Sequence, residues 1–290
     1  MRKPTMSGSR KFFLLVLGLA LTAHAQPRFV PTPDYSHVGT PDQAEGRRVL
    51  EDFRAKGIAG DYFLEFELHV LPRRGDERVL AGQLWGTRNE QGALSRVTVV
   101  TDAASQAGLH LLIQNGLAPM VWSWDGTAPA KSLDVSALFS PVGGTNLTVF
   151  DLQMPFLYWP DFDYEGLTRL RGRPTHQFLL RPAKDFSGKY PSLSGVRVYL
   201  DTQFNALVQV ELVGDHGQLL KTISLLELKR IGEQWIPKTF DVRDEVTRDK
   251  TRFVVKGAAL GLTLPRDMFT PGQLAGTVNP PDAKSIVPVE

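Results

Sequence analysis

The stretch DYFLEFELHV, residues 61–70, alternates apolar and polar positions, and this alternation constrains the fold more than any other feature of the chain. In an extended strand, side chains two residues apart share one face, so Leu64 and Phe66 are expected to face the same core. Similar segments, separated by turns rich in Gly, Asn and Asp, follow over residues 79–126 and again over residues 167–257. Short strands at this spacing predict a mainly β protein, an antiparallel sandwich or barrel.

Two segments break the alternation with helical signals. Residues 40–57 begin with Thr40 as a candidate N-cap, followed by a proline at the first helical position. Between the two series of strands, residues 131–158 carry apolar residues at helical spacing, with Asn146 or Thr148 as a second candidate cap. We therefore expect helices only at the start of the folded domain and within this interval.

The first residues of the chain predict export. A basic start precedes the apolar stretch 12–23, and Ala23, His24 and Ala25 match the small-x-small pattern of a signal-peptidase site. The apolar stretch is shorter than the roughly 20 residues of a membrane-spanning helix. We expect cleavage after Ala25, which leaves a soluble periplasmic chain beginning at Gln26. The expected organisation is a signal peptide (1–25), a linker (26–40), one binding domain (41–274) and a disordered tail (275–290).

Charge and cysteine content exclude several classes of protein. The chain has 33 basic and 31 acidic residues, and four of the basic residues lie in the predicted signal, so the mature chain has 29 against 31, a net charge of −2. A near-neutral chain without a Lys/Arg cluster is not expected to bind nucleic acid. With no cysteine, the chain has no disulfide framework and no thiolate chemistry, so a packed core must hold the fold.

Catalytic and metal-binding motifs are scarce. The sequence has no G-x-S-x-G, no P-loop and no H-E-x-x-H, and its histidines lack ligand spacing. We therefore expect neither a metal nor a cofactor. Asp161, Asp163 and Glu165 alternate in DFDYE, where they would suit a calcium site or an enzyme acting on an envelope lipid. A solvated acidic rim is the favoured interpretation.

The stretch LQMPFLYWP, residues 152–160, concentrates aromatic and apolar side chains beside Pro155 and Pro160. The prolines argue against one rigid helix. Packed core and the lining of a ligand cavity both remain open, because sites for small hydrophobic molecules are concave and rich in aromatic residues. For the second interpretation the candidate ligand-binding residues are Phe66, Trp85, Met120, Trp122, Trp124, Phe156, Leu157, Tyr158 and Trp159, of which the last four form a lid facing the tryptophans and Phe66.

Short motifs in the second half of the chain follow one another in a recognisable order. They are D-x5-L-V (Asp201, Leu207, Val208), G-x-L-x-K (Gly217, Leu219, Lys221), G-x-x-W-x-P (Gly232, Trp235, Pro237) and TRFVV (251–255), preceded by GTNLTVFDL (144–152). Over about residues 41–274 this order resembles the LolA-like outer-membrane lipoprotein-sorting family, whose wider branch carries G-T-D-F-S-Y-E-D-L at the position of GTNLTVFDL.

The resemblance implies an incomplete antiparallel β-barrel, with a few helices closing an apolar cavity that receives acyl chains. It implies a periplasmic, monomeric carrier or acceptor of lipoprotein acyl chains or another envelope lipid, with no chemistry on the cargo. Its partners would be an inner-membrane transporter and an outer-membrane acceptor. Two other classes remain open, an enzyme acting on an envelope lipid and a non-enzymatic periplasmic scaffold that uses the aromatic patch to bind a protein.

Overall fold

A computed structural model describes residues 40–102, 107–126 and 129–290. The predicted signal peptide, and the predicted linker up to residue 39, lie outside the described residues. The described helices are α1 (Gln43–Ala55), α2 (Val149–Gln153) and α3 (Lys184–Lys189). The strands are β1 (Asp61–Leu71), β2 (Arg78–Asn89), β3 (Gly92–Asp102), β4 (Ala107–Gln114), β5 (Met120–Trp124), β6 (Lys131–Ser132), β7 (Phe162–Leu170), β8 (Arg173–Leu180), β9 (Gly195–Asp201), β10 (Leu207–Val213), β11 (Leu219–Ile231), β12 (Gln234–Asp244), β13 (Lys250–Leu262) and β14 (Val287–Pro288).

The strands form one antiparallel sheet that does not close. Its order is β6-β5-β4-β3-β2-β1-β13-β12-β11-β10-β9-β8-β7, and β14 adds to β13. The two free edges are therefore β6 and β7, which are consecutive strands in the sequence. Residues 133–161, which we call the insert, join these two edges. The prediction of a mainly β, incomplete antiparallel barrel is confirmed.

Alternation along the strands separates two cores on the two faces of the sheet. On β1, Leu64, Phe66 and Leu68 belong to the larger core, together with residues of α1 and of the insert. Phe63 points the other way and joins a smaller core with Trp85, its cross-strand partner on β2. We call these the inner face and the outer face. The inner face is covered by α1 and the insert, and the outer face by the segment that follows β13.

Helix α1 is fixed closely against β7. Its N-cap is Asp42, whose side chain accepts a hydrogen bond from the Ala44 backbone N–H at 2.9 Å, so the prediction of Thr40 as the cap is wrong by two residues. Gly46 lies against the ring of Tyr164, and a Cβ on Gly46 would come within 2.4 Å of the Tyr164 Cβ. The close approach needs glycine there, and it positions the helix over the open side of the barrel.

Two further predictions of local structure are wrong. Helices also occur outside the start and residues 131–158, since α3 (Lys184–Lys189) follows β8 and short 3-10 turns flank the last strands. The tail over 275–290 is ordered, since β14 pairs with β13 and Val289 is buried in the inner core. Proline and polar residues make the tail resemble a disordered segment, but its few apolar side chains reach partners on β13 that only the fold brings near.

Arg96 on β3 fastens the segment after β13 to the outer face. Its side chain is 1% exposed, and its guanidinium donates to the backbone carbonyls of Met268 (3.0 Å), Gln273 (2.9 Å), Leu274 (3.2 Å) and Gly276. Burial lowers the pKa of this guanidinium from its ordinary value. One side chain thus supplies four hydrogen bonds to a segment more than 170 residues away in the sequence.

We expect Arg96→Met to destabilise the protein by about 3 kcal/mol, because a hydrogen bond from a charged group contributes about 1.5–3 kcal/mol and the freed carbonyls regain only part of this from water. Urea unfolding measures the loss, and limited proteolysis should then cut within residues 266–276. Arg74→Met is the control, since this arginine is exposed on a turn. An Arg96→Met protein as stable and as protease-resistant as the parent would contradict the role of the side chain as a fastener.

Candidate functional site

The insert brings the aromatic run of the sequence onto the inner face. The Trp159 ring lies 5.2 Å from the ring of Phe186 on α3 and 6.4 Å from those of Phe150 and Phe156, as measured between ring centroids. Phe156 is fully buried, and Trp159 is only 8% exposed. In this conformation the insert fills the open side of the barrel with its own side chains.

Capping and a left-handed residue explain the local shape of the insert. Thr148 caps α2, and its hydroxyl and the Asp151 carboxylate form a reciprocal capping box, so one of the two predicted caps is correct. Met154 has a φ of 50°, which ends α2, and Pro155 then begins a separate 3-10 turn over Pro155–Tyr158. The run is therefore two short pieces with a sharp bend between them.

A buried ion pair holds α2 to the barrel wall. The Lys221 Nζ on β11 lies 2.6 Å from the Asp151 Oδ2, and the carboxylate is fully buried. The same oxygen accepts hydrogen bonds at 2.8 Å from the Thr148 backbone N–H and from its hydroxyl. Asp151 belongs to the motif GTNLTVFDL and Lys221 to the motif G-x-L-x-K. The motifs do not predict that these two residues, 70 positions apart, are in contact.

Two further polar contacts attach the second half of the insert. Arg54 of α1 donates from its Nε to the Leu157 carbonyl, and its guanidinium stacks 5.4 Å from the centroid of the Tyr158 ring. Burial lowers the pKa of Arg54 from its ordinary value. Asn115, after β4, donates from its Nδ2 to the Gln153 carbonyl at 2.6 Å. Sequence reasoning assigned no role to Arg54 or Asn115, since each acts on the insert only through the fold.

A pocket of about 150 Å³ lies between β5, the insert and α3. Its volume is below the roughly 300–1,000 Å³ of typical small-molecule sites. One of its lining residues, Met120, is 45% exposed, so the pocket reaches the protein surface there. The lining residues are Pro119, Met120, Val121, Leu133, Val135, Leu138, Gln153, Pro155, Trp159 and Phe186.

The nine candidate ligand-binding residues fall into two separate groups. The prediction that the lid faces all three tryptophans is wrong, because Trp85 pairs with Phe63 and therefore points to the outer face. The inner group comprises Phe66, Phe156, Leu157 and Trp159, with Tyr158 packed against them, and Met120 shares the small pocket with Trp159. The outer group comprises Trp85, Trp122 and Trp124.

A larger cavity of about 520 Å³ lies on the outer face, between the sheet and the segment after β13. Trp85 and the buried Arg96 form its floor on the sheet side. Its other lining residues are Leu262, Thr263, Leu264, Pro265, Asp267, Met268, Gln273, Gly276, Thr277, Val278, Asn279 and Pro281. This wall is mixed in polarity, unlike the pocket beside the insert.

The acidic cluster is paired with arginines. The exposed Asp161 and Asp163 both face Arg181, which lies 3.6 Å from Asp161 and hydrogen-bonds Asp163. That hydrogen bond holds the pKa of Asp163 below its usual range, so this carboxyl stays ionised and is unsuited to act as a general acid. Glu165 pairs with Arg197 at 3.2 Å. Over residues 40–102, 107–126 and 129–290, no group of three or more His, Asp or Glu is placed to hold a metal ion.

No helix in the described part of the chain combines the length and apolar character needed to cross a membrane. This holds for α1, α2 and α3 alike.

Comparison with known proteins identifies the fold. A family model with the description "Uncharacterized protein" matches residues 97–275. A candidate outer membrane lipoprotein-sorting protein domain from Vibrio parahaemolyticus is 17% identical, with a TM-score of 0.68, over 81% of this chain and 100% of its own. A DUF1329 family protein from Desulfovibrio piger is 14% identical, with a TM-score of 0.69, over the same shares of 81% and 100%.

A LolA superfamily protein from Nitrosomonas europaea is 17% identical, with a TM-score of 0.59, over 77% of this chain and 96% of its own. No curated protein matches the chain. These likenesses confirm the LolA-like fold that the sequence motifs predicted.

Proposed function

We propose that this chain, which belongs to the DUF1329-type family of uncharacterized proteins whose model matches residues 97–275, is a periplasmic carrier or acceptor of acyl chains from a lipoprotein or another envelope lipid. The insert is the observation that carries the proposal. It joins the two free edges of the barrel, covers the inner face with aromatic rings, and is attached by individual side-chain hydrogen bonds and one buried ion pair. A segment with these properties can serve as a lid over an acyl-binding face.

The free energy of transferring an acyl chain is compatible with a lid that the chain replaces on the inner face. An acyl chain that leaves a bilayer for an apolar protein site gains almost nothing, because each buried CH₂ is worth about 0.8 kcal/mol against water in either place. Rings of the insert occupy the inner face in this conformation, so cargo must replace one set of apolar contacts by another. Such an exchange needs no chemistry on the cargo, and any net driving force would come from a membrane partner.

Lipid content measured on the native protein tests the proposal. The protein is purified from its own periplasm and examined by native mass spectrometry. A co-purifying acylated lipid or lipoprotein supports the carrier. A chemically altered lipid would indicate the enzyme class instead, and an empty protein bound to another protein would indicate the scaffold. Failure to bind a fluorescent long-chain acyl probe with an uncharged head group in titration would contradict the carrier directly.

We expect Arg54→Gln to bind the fluorescent acyl probe about fivefold more tightly. The hydrogen bond to Leu157 and the stacking on Tyr158 hold the insert closed, and a closed state that competes with cargo lowers the apparent affinity. For a half-buried contact we take about 1 kcal/mol, where 1.4 kcal/mol corresponds to tenfold. Fluorescence titration gives the affinities.

Arg47→Gln is the matched control for this change. Arg47 lies on the same helix and stacks 5.5 Å from the centroid of the Phe162 ring. Phe162 belongs to β7 and not to the insert, so the affinity for the probe should not change. Unchanged or weaker binding by a stably folded Arg54→Gln protein would show that the insert is not a lid.

A further inference from the structure

Gln153, which lines the pocket beside the insert, carries a buried hydrogen-bond acceptor without a donor among the described residues. Gln153, the last residue of α2, is 2% exposed. Its Nε2 donates to the Gln114 carbonyl at 3.1 Å, whereas its Oε1 has no hydrogen-bond partner in the part of the chain that the structure describes. The orientation of the amide follows from chemistry, because the exchanged arrangement would set two carbonyl oxygens against each other. The unpaired atom is therefore an oxygen.

Gln153 is held firmly in this position. Its side chain is tied to Gln114 at the end of β4, and its backbone carbonyl accepts the hydrogen bond from Asn115 at 2.6 Å. A buried acceptor without a donor destabilises the fold, because the hydrogen bond that it made to water in the unfolded chain is not replaced. Hydrogen bonds to both the side chain and the backbone of Gln153 thus fix its Oε1 in place, although this oxygen has no donor within the described ranges.

The surroundings of Gln153 suit the apolar part of an acyl compound. Within the described residues, every other side chain lining the pocket is apolar, with Trp159 and Phe186 forming its aromatic wall. An apolar molecule that carries a hydrogen-bond donor would contact the apolar lining and also supply the hydrogen bond that the Gln153 oxygen lacks.

From this arrangement we infer that Gln153 determines specificity, accepting a hydrogen bond from an N–H or O–H at the head of the bound acyl chain. The ligand class is an amide-linked or hydroxyl-bearing acyl compound. A methyl ester has no donor to offer, and an ionised carboxylate would oppose the oxygen. With a volume of about 150 Å³, the pocket holds the head, and the chain continues beneath the insert. The inference rests on the proposed carrier function.

Paired probes of equal chain length test the inference. Binding of a fatty N-methyl amide, a fatty alcohol and a fatty acid methyl ester is measured by displacement of the fluorescent probe from the full protein. We expect the amide and the alcohol to bind about tenfold more tightly than the ester, as 1.4 kcal/mol of satisfied hydrogen bonding implies. Equal affinities would overturn the role of Gln153 and leave the carrier intact, whereas no binding by any probe would overturn the carrier itself.

Gln153→Met supplies the second arm. It keeps the length of the side chain and removes the acceptor, together with the N–H that donates to the Gln114 carbonyl, so the three probes should bind with equal affinity. Gln203→Met, at an exposed position, should keep the tenfold preference. A Gln153→Met protein that still prefers the amide would show that another group accepts the hydrogen bond from the head of the ligand. If this variant fails to fold, the comparison of probes on the unmodified protein still decides the outcome.

Discussion

Lys221→Met is expected to destabilise the protein by about 3–5 kcal/mol, the usual cost of removing one partner of a buried ion pair. The change leaves the Asp151 carboxylate fully buried and without its cation. Two hydrogen bonds from Thr148 reach only one of the carboxylate oxygens. Among the described residues, the other oxygen, Oδ1, has no hydrogen-bond partner.

Two further variants separate the charge from the packing. In the double variant Asp151→Asn, Lys221→Met no charge remains buried, so most of the lost stability should return. Arg230→Met breaks an exposed pair with Glu233 at 2.6 Å and should cost less than about 1 kcal/mol. Urea unfolding measures all three. A loss below about 1 kcal/mol for Lys221→Met would show that the pair does not anchor the insert.

The location of the lost stability matters more for function than its size. If the insert is a lid, it opens as a unit while the barrel stays folded, and Lys221→Met lowers the free energy of that local opening. Hydrogen exchange should then report a lower free energy of opening for the amides of α2 and of residues 156–158 than for those of β9 and β10, in the parent as in the variant. Equal free energies of opening for the insert and for β9 and β10 would make the insert ordinary core and remove the main support for the carrier.

The strands were predictable because their signal is local. In a half-buried strand, consecutive residues alternate between apolar and polar, and the segment DYFLEFELHV with this pattern forms β1 over Asp61–Leu71. The cap at Thr148 was predictable for the same reason, since the capping box lies within four residues. The left-handed Met154 was not predicted, although the proline after it already indicated a break in the helix.

The site depends on information that the local sequence does not contain. The alternation of side chains along β1 places Phe63 and Phe66 on opposite faces of the sheet. It does not determine which of these faces the insert covers. The pairing of Lys221 with Asp151 spans 70 residues, and that of Arg96 with Met268 spans 172. Such contacts follow from the strand order, so the three tryptophans could not be separated from the lid before the sheet was known.

We expect Trp159→Ala to cost about 3 kcal/mol, the low end of the 3–5 kcal/mol for truncating a buried aromatic side chain. The ring packs against Phe186 at 5.2 Å between centroids, but it also borders the pocket of about 150 Å³, so part of its surface already lacks neighbours. Urea unfolding measures the loss, and an unchanged m-value would show that the unfolded surface is the same. Trp235→Ala is the control, because this tryptophan is 59% exposed and surface changes usually stay within about 0.5 kcal/mol.

The size of this loss decides which state of the insert the free protein adopts. A loss near 3 kcal/mol means that Trp159 is packed on the inner face without cargo, so acyl chains bind by displacing it. A loss below about 1 kcal/mol would mean that the ring is not packed in solution, because a buried aromatic truncation costs about 3–5 kcal/mol. The insert would then stand open, and the tighter binding expected of Arg54→Gln could not arise from releasing it. The Trp159 and Arg54 variants therefore test the same closed state, one through stability and the other through affinity.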